Sequence, residues 1–346
     1  MSEPIRFAIV GCGVISPTHA RSISELPDAK LVAVCDVVPE KAQALSALYP
    51  ADAYTCADEM LRRDDIDAVV VLTPSGLHTE VGVQAARAGK HVLVEKPMDV
   101  TLEQADRLIQ TCAAAGVKLG VISQHRFDPA MMALKKAVDE GKLGQLNFGG
   151  SHTKWFRAQA YYDSGNWRGT WALDGGGALI NQSIHYVDML QYIMGPVEEL
   201  NGYTCTRAHE RIEVEDLAVA SIKFRSGALG LLEGSTLAYP GFFARLDVNG
   251  TLGSVVIEND QVKDWYLCSE EPCPVPPGEV GGFIGGTSSK DIWHHSHRRQ
   301  IQDFIDAIRE DREPLVNGHE GRKPLEIVLA VYESSRTGKT IRFGQK

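Results

Sequence analysis

The 346 residues are enough for two domains at roughly 150 residues each, and 44% hydrophobic against 23% charged residues excludes a disordered or low-complexity chain. With 35 Lys and Arg against 45 Asp and Glu the formal charge is -10, which excludes a broad phosphate-backbone footprint. No nucleic acid is expected as a partner, and an anionic small substrate needs its own local arginine cluster. The opening MSEPIRFAIVGCG has neither a basic leader nor an apolar signal core, and no run approaches membrane-spanning length. A soluble, cytoplasmic protein with no membrane partner is expected. Seven scattered cysteines, with no C-x-x-C and no Cys/His pairing at zinc spacing, read as reduced thiols, and no metal is expected.

In the first third, short apolar runs at Ile5 to Val10, Leu31 to Val34, Ala68 to Leu72, His91 to Val94 and Lys118 to Ile122 alternate with helical patterns. These patterns cover Pro17 to Leu26, Pro39 to Leu48, Thr79 to Ala88 and Leu102 to Ala115. Uninterrupted apolar strands between helices require a parallel sheet covered on both faces, so the spacing predicts a doubly wound α/β domain over residues 1–125. After one more helix, Pro129 to Glu140, the pattern turns to alternating segments at Asp216 to Phe224, Ala228 to Ser235, Ala244 to Asn249 and Ser254 to Glu258. Turn signals separate them, which predicts an α+β domain with an open, mainly antiparallel sheet over 126–346. Helices near His297 to Arg309 and Leu325 to Ser335 close the chain. The loop GGFIGG, Gly281 to Gly286, reads as a solvated connection or a lid.

Gly11-Cys12-Gly13-Val14-Ile15-Ser16 follows the first strand. Gly11 permits a tight turn, Gly13 a close approach of the backbone to a pyrophosphate, and Ser16 leaves the glycine fingerprint incomplete. Asp36 ends the second strand 25 residues beyond Gly11. Its carboxylate suits both ribose hydroxyls of an adenosine and repels a 2'-phosphate, which favours NAD over NADP; a plain turn residue is the other reading. Thr73 and Pro74 leave the third strand at the sheet's carboxyl edge, and His78 either begins the next helix or touches the cofactor. Glu95-Lys96-Pro97 places two opposite charges where a buried strand emerges, as an ion pair or as a proton carrier beside a nicotinamide.

In GGGALINQSIHYVDMLQYIMG, Gly175 to Gly195, helical spacing puts Asn181, His185 and Asp188 on one face. Before it, Trp155-Phe156-Arg157, Tyr161-Tyr162 and Trp167-Arg168 interleave aromatics with arginines. Indole and phenol faces suit the C–H faces of a pyranose, and guanidinium suits a carboxylate or phosphate. In the run His294-His295-Ser296-His297 adjacent histidines do not share a helical face, and neither Cys nor a carboxylate cluster accompanies them, so it reads as a helix start or a substrate-loop contact rather than a metal site.

The glycine loop, Glu95-Lys96-Pro97, the GGG helix with His185 and the closing LEIVLAVYESSRTGKT, in this order, resemble the glucose-fructose oxidoreductase, inositol dehydrogenase and MocA (Gfo/Idh/MocA) family over nearly the whole chain. Asn181, the aromatic-arginine run, Ile212 to Asp216 and Tyr239-Pro240-Gly241 are most similar to the branch that contains UDP-N-acetyl-2-amino-2-deoxyglucuronate 3-dehydrogenase. The resemblance implies a Rossmann domain, a carboxyl-terminal α/β domain, assembly as a homodimer or homotetramer through the open sheet, and a Lys96-Pro97 bond that is often cis in relatives. It further implies hydride transfer between NAD and a secondary hydroxyl, at carbon 3, of a pyranose sugar or derivative such as a UDP-uronic sugar, with Lys96 and His185 as the catalytic pair.

The cofactor-binding set is Gly11, Gly13, Val14, Ile15, Asp36, Thr73, Pro74, His78, Glu95, Lys96, Gln124, Trp167 and Arg168. Asn181, Trp155, Arg157, Tyr162 and Asp188 form the substrate set. Where many family members carry Asp, Asn181 cannot act as a carboxylate, so proton work falls to Lys96 and His185. A free lysine titrates at about 10.4, so Lys96 needs a desolvated site or a neighbouring positive charge. Other readings are a glycosidase that oxidises carbon 3 transiently with bound NAD, an inositol dehydrogenase, and a silent NAD-binding sensor.

Overall fold

The structure, a computed structural model, describes residues 3–276 and 294–344. The GGFIGG loop lies outside the described residues. The chain divides into two compact units: Met1–Gln124 with Ser289–Arg322, and His125–Ser288 with Lys323–Lys346.

In the first unit the elements run β1 (Ile5–Val10), α1 (Ser16–Ser24), β2 (Ala29–Cys35), α2 (Pro39–Leu48), β3 (Asp52–Tyr54), α3 (Ala57–Leu61), β4 (Ala68–Val71), α4 (His78–Arg87), β5 (His91–Val94), α5 (Leu102–Ala115) and β6 (Leu119–Val121). All pairings are parallel, in the order β3-β2-β1-β4-β5-β6. β4, Ala-Val-Val-Val, is buried at every position, as a strand covered on both faces must be. Local chemistry sets the helix ends: Pro39 opens α2, the Thr101 hydroxyl accepts from the Gln104 N–H, and Gly116 closes α5 at φ 68°.

The later helix α9 (His294–Arg309) joins this unit. Its Ile301, Phe304 and Ile305 pack with Phe7, Ile9, Ile23 and Leu93 in one core. The sheet order reverses between β1 and β4, so the loops that follow these two strands open at the switch point where such sheets bind ligands.

The second unit holds α6 (Pro129–Asp139), β7 (Leu146–Lys154), α7 (Gln159–Asp163), α8 (Ile184–Met194), and six further strands. These are β8 (Val197–Cys205), β9 (Leu217–Phe224), β10 (Leu229–Ser235), β11 (Arg245–Gly250), β12 (Gly253–Glu258) and β13 (Gln261–Leu267). Helix α10 (Gly318–Thr337) leads to the short edge strand β14 (Ile341–Arg342). The sheet order is β13-β12-β11-β7-β10-β9-β8-β14, antiparallel except between β7 and β10.

One face packs on α8: a side chain at Gly149 would stand 2.7 Å from Leu190 and Met194. Along β9 and β10 burial alternates, and Tyr203, Val219, Leu229 and Leu231 are exposed.

The Gly175 to Gly195 segment is not one α-helix. Residues Ala178–Ser183 form a π-helical turn, and α8 starts at Ile184. The cause is the approach to β9: the Glu215 carboxylate accepts from Gly177 N–H at 2.9 Å and Leu179 N–H at 2.8 Å, and its carbonyl accepts from Ala178 N–H at 3.0 Å. A Cβ at position 177 would lie 1.8 Å from that carbonyl oxygen. The single α-helical face expected for Asn181, His185 and Asp188 is therefore broken before His185, and such widened turns are frequent at functional sites.

Candidate active site

In the first unit Gly11 has φ +100°, and a Cβ there would meet the Leu72 carbonyl at 2.6 Å. A Cβ at Gly13 would meet nothing within 4 Å, so the space beside that backbone is open. Val14 is 63% exposed, whereas Ile15 packs against the core. Ser16 Oγ donates to Gly13 O at 2.8 Å, so the residue in the third fingerprint position ties down the loop.

Asp36 holds the same loop from β2: Oδ2 accepts from Cys12 N–H at 2.8 Å and Oδ1 from Val38 N–H at 2.9 Å. Each oxygen retains acceptor capacity for a ribose hydroxyl. Beneath the loop, burial pushes the Cys12 and Cys35 thiols up to about 12 and about 11, which fits packing rather than nucleophilic chemistry.

Past β4, the Thr73 hydroxyl is sealed from solvent and lacks a partner among the described residues. His78 is buried with its ring nitrogens 2.8 Å from Thr73 O and from Pro97 O, so it braces the switch-point loop against the cis Lys96-Pro97 segment. Open space at Gly13, an orphaned hydroxyl at Thr73 and a carboxylate at the end of β2 suit a dinucleotide.

Glu95 sits at the end of β5 between two histidines. Its Oε1 accepts from His19 Nε2 at 2.9 Å, with His297 Nε2 3.9 Å away, while Oε2 accepts from the Lys96 backbone N–H at 2.9 Å. Burial opposes ionisation of Glu95, yet the His19 hydrogen bond and the positive charges of His19, Lys96 and His297 hold its carboxyl down at about 2. The sequence offered His297 as part of a histidine run at a helix start; here it is a buried residue of α9. His294 from the same run pairs with Glu25 at 2.9 Å.

In the second unit His185 is at the start of α8, its ring edge against His125 with centroids 4.8 Å apart. His125 Nδ1 is 2.7 Å from Asp128 and 3.2 Å from Asp260. Asp188, one turn beyond His185, is gripped by the buried Arg126. Asn181 donates to Asp174 and accepts from Gln182, whose amide also donates to the Tyr161 hydroxyl at 2.9 Å.

Arg157 donates to Gln182 Oε1 at 2.6 Å, and Arg168 donates to the Tyr161 hydroxyl at 2.6 Å while stacking on Trp167. Tyr162 belongs to the core, its hydroxyl on Thr236. Trp155, Arg157, Arg168, Asn181 and Gln182 thus form one cluster around Tyr161. The sequence reading had no role for Gln182, Asp174, His125 or Arg126. Each is a polar residue with no motif around it, and Gln182 is a buried member of the π turn.

Residues 5–123 match the oxidoreductase family with the NAD-binding Rossmann fold, and residues 135–343 match its carboxyl-terminal α/β domain. The chain belongs to the Gfo/Idh/MocA family. Among curated relatives, inositol 2-dehydrogenase of Rhizobium meliloti is 28% identical, covering 95% of this chain and 96% of its own. Among solved structures, the WlbA dehydrogenase of Bordetella pertussis in complex with NADH and UDP-GlcNAcA is 36% identical at TM-score 0.88, covering 99% of this chain and 100% of its own. WlbA of Chromobacterium violaceum, with the same two ligands, is 33% identical at TM-score 0.88 and covers 100% and 98%. This member of the family is an NAD-binding oxidoreductase acting on CH–OH groups. No described helix is long and apolar enough to cross a membrane.

Proposed function

We propose that this enzyme transfers hydride between NAD and the carbon-3 hydroxyl of a pyranose sugar derivative, of which a UDP-uronic sugar is the leading candidate. The likeness to WlbA over 99% of the chain carries the reading, since those enzymes were solved with NADH and UDP-GlcNAcA. Residues 1–125 hold the dinucleotide and residues 126–346 the sugar. Gly11, Gly13 and Val14 receive the pyrophosphate, Asp36 the ribose hydroxyls, and Thr73, Pro74 and Gln124 the nicotinamide end. When bound, NAD supplies the hydride acceptor. Lys96 Nζ takes the hydroxyl proton, and His185 orients the hydroxyl and passes the proton on. Asn181 and Gln182 order the ring hydroxyls.

Tyr203, Val219, Leu229 and Leu231 give the uncovered face of the sheet an apolar character that suits a homodimer or homotetramer in the cytoplasm. Sedimentation of Leu231→Lys tests this: a smaller species supports it, and an unchanged mass contradicts it.

The experiment is a panel of free sugars, glycosides, inositols and UDP-sugars incubated with NAD, reading both NADH and product. Stoichiometric NADH with a UDP-sugar supports the proposal. Sugar release without net NADH indicates redox-assisted hydrolysis instead. Turnover of inositols alone favours the second reading, an inositol dehydrogenase, which the 28% identity with inositol 2-dehydrogenase supports.

A further inference from the structure

Glu215 is a buried carboxylate that the reaction described above does not use. It stands two residues before β9, in the Ile212 to Asp216 segment, and is 3% exposed. Its Oε2 accepts from Gly177 N–H at 2.9 Å, and its Oε1 from Leu179 N–H at 2.8 Å and from the Tyr332 hydroxyl of α10 at 3.0 Å. Among the described residues no Lys, Arg or His is in ion-pair contact with it.

The amides it holds open the catalytic segment. Gly177 and Leu179 flank the start of the π-helical turn Ala178–Ser183, and α8 with His185 follows directly. The Glu215 carbonyl takes the amide between them, Ala178 N–H, at 3.0 Å. Inside the turn Asn181 N–H donates to Gly177 O at 3.1 Å, and the Ser183 hydroxyl donates to Ala178 O at 2.8 Å. A shift at Gly177 and Ala178 is therefore passed to Asn181 and to Ser183, two residues before His185. The chain wraps closely enough that a Cβ at Gly176 would stand 2.2 Å from the Tyr332 hydroxyl.

The neighbouring acids serve other segments. Glu213 accepts from Trp171 N–H at 3.0 Å, and Asp216 accepts from the backbone amides of Arg207, Ala208 and His209. Neither carboxylate is hydrogen-bonded to the π turn.

We propose that Glu215 is a positioning residue for the reaction, its carboxylate holding the π turn in the shape that presents Asn181 and His185 to the substrate. The inference rests on the role proposed for His185 and goes beyond it.

The ionised carboxylate accepts all three bonds at once, whereas a proton on either oxygen competes with one of the donors. Burial pushes this carboxyl up to about 7 despite those bonds, so both forms occur across the neutral range. The other titratable groups beside it are Tyr332 of α10 and Tyr162 of α7, and burial raises both phenols, so neither ionises there. A folded value above the ordinary 4.5 means that ionisation costs stability as pH rises through about 7, while the same ionisation completes the clamp. Stability and turnover should therefore move in opposite directions, unlike the effect of a merely structural residue.

The test compares wild type, Glu215→Gln, Tyr332→Phe and a control, Glu213→Gln, across the range in which Glu215 titrates. The readouts are single-turnover NADH formation from NAD and UDP-GlcNAcA, thermal melts, and hydrogen exchange of the peptide 176–186 corrected for intrinsic rate. Well above the titration of Glu215, Glu215→Gln should transfer hydride about tenfold or more slowly than wild type with NAD affinity nearly unchanged. Well below it the two rates should converge, because protonated Glu resembles Gln. As pH rises the wild-type melting temperature should fall relative to Glu215→Gln, and protection of 176–186 should rise relative to it. Tyr332→Phe removes one donor to the ionised form and should move the wild-type rate profile to higher pH. Glu213→Gln should keep the wild-type profile.

A rate ratio between wild type and Glu215→Gln that is constant with pH overturns the inference, and so does a parallel loss of stability and turnover. If Glu215→Gln does not fold, Tyr332→Phe decides, and an unmoved profile overturns the inference. An enzyme that reduces no NAD with any sugar fails the proposed function; the exchange comparison then decides here, and protection of 176–186 that does not rise with pH relative to Glu215→Gln overturns the clamp.

Discussion

Arg126 grips both carboxylate oxygens of Asp188, at 2.8 Å through Nε and 2.6 Å through Nη2, with both side chains almost completely buried. The Arg126 guanidinium also lies 4.2 Å from the centre of the Tyr192 ring. This pair fixes the segment carrying His125 to the helix carrying His185, so Asp188 contributes to the site through position. Removing one partner leaves an uncompensated buried charge. Arg126→Met should cost about 3–5 kcal/mol in urea denaturation, and Arg126→Met/Asp188→Leu should recover most of that loss. A single variant as stable as wild type contradicts the pairing.

Gly11 and Gly13 should respond differently to alanine. At Gly11 both φ and the Leu72 carbonyl oppose a Cβ. Gly11→Ala should therefore lower the melting temperature and NAD affinity together. At Gly13 the space is open, so Gly13→Ala should keep the wild-type melting temperature and weaken NAD binding about tenfold or more, because only an approaching pyrophosphate meets the new methyl. Calorimetric NAD titration beside a thermal melt separates the two effects.

Glu95 provides the pH dependence. Its folded value of about 2 lies below its ordinary 4.5. The stability it contributes is therefore complete above pH 4.5 and lost as pH falls toward 2. The shift corresponds to about 3 kcal/mol, so Glu95→Gln should be less stable than wild type by roughly that amount at pH 7, with the difference shrinking below pH 4.5. A difference independent of pH from 7 to 3 contradicts the anionic clamp between His19 and His297.

How far the sequence carries depends on burial. β1, β4 and β5 are covered on both faces, so their apolar runs mark them plainly. β7 is not readable that way, since Gly149 replaces a side chain with room for α8 and Gly150 beside it adds no side chain, which leaves no alternation to detect. Position 297 within α9 shows an amphipathic helix but not its address, because the residues it meets, His19 and Glu95, stand 278 and 202 positions earlier in the chain. Gly11 was readable because its backbone at φ +100° against the Leu72 carbonyl demands glycine, and Asp36 and Glu95-Lys96-Pro97 were readable as charged residues where buried strands end. Gln182 and Arg126 were not, as their partners are set by a π turn and a buried ion pair that no local pattern encodes.

Asp36 should govern cofactor choice. Its carboxylate repels a 2'-phosphate, so wild type should prefer NAD over NADP by at least tenfold in kcat/KM, and Asp36→Ser should narrow that ratio. Because Asp36 also anchors the Cys12 N–H, the variant should lose NAD affinity as well. A preference for NADP in wild type contradicts this role.

The most direct test of the central claim is single-turnover NADH formation by Lys96→Met, saturated with NAD and mixed with UDP-GlcNAcA. Wild type should form NADH in stoichiometric amount, while the variant should still bind NAD and form none. NADH formation by Lys96→Met at the wild-type rate would contradict the assignment of proton transfer to Lys96.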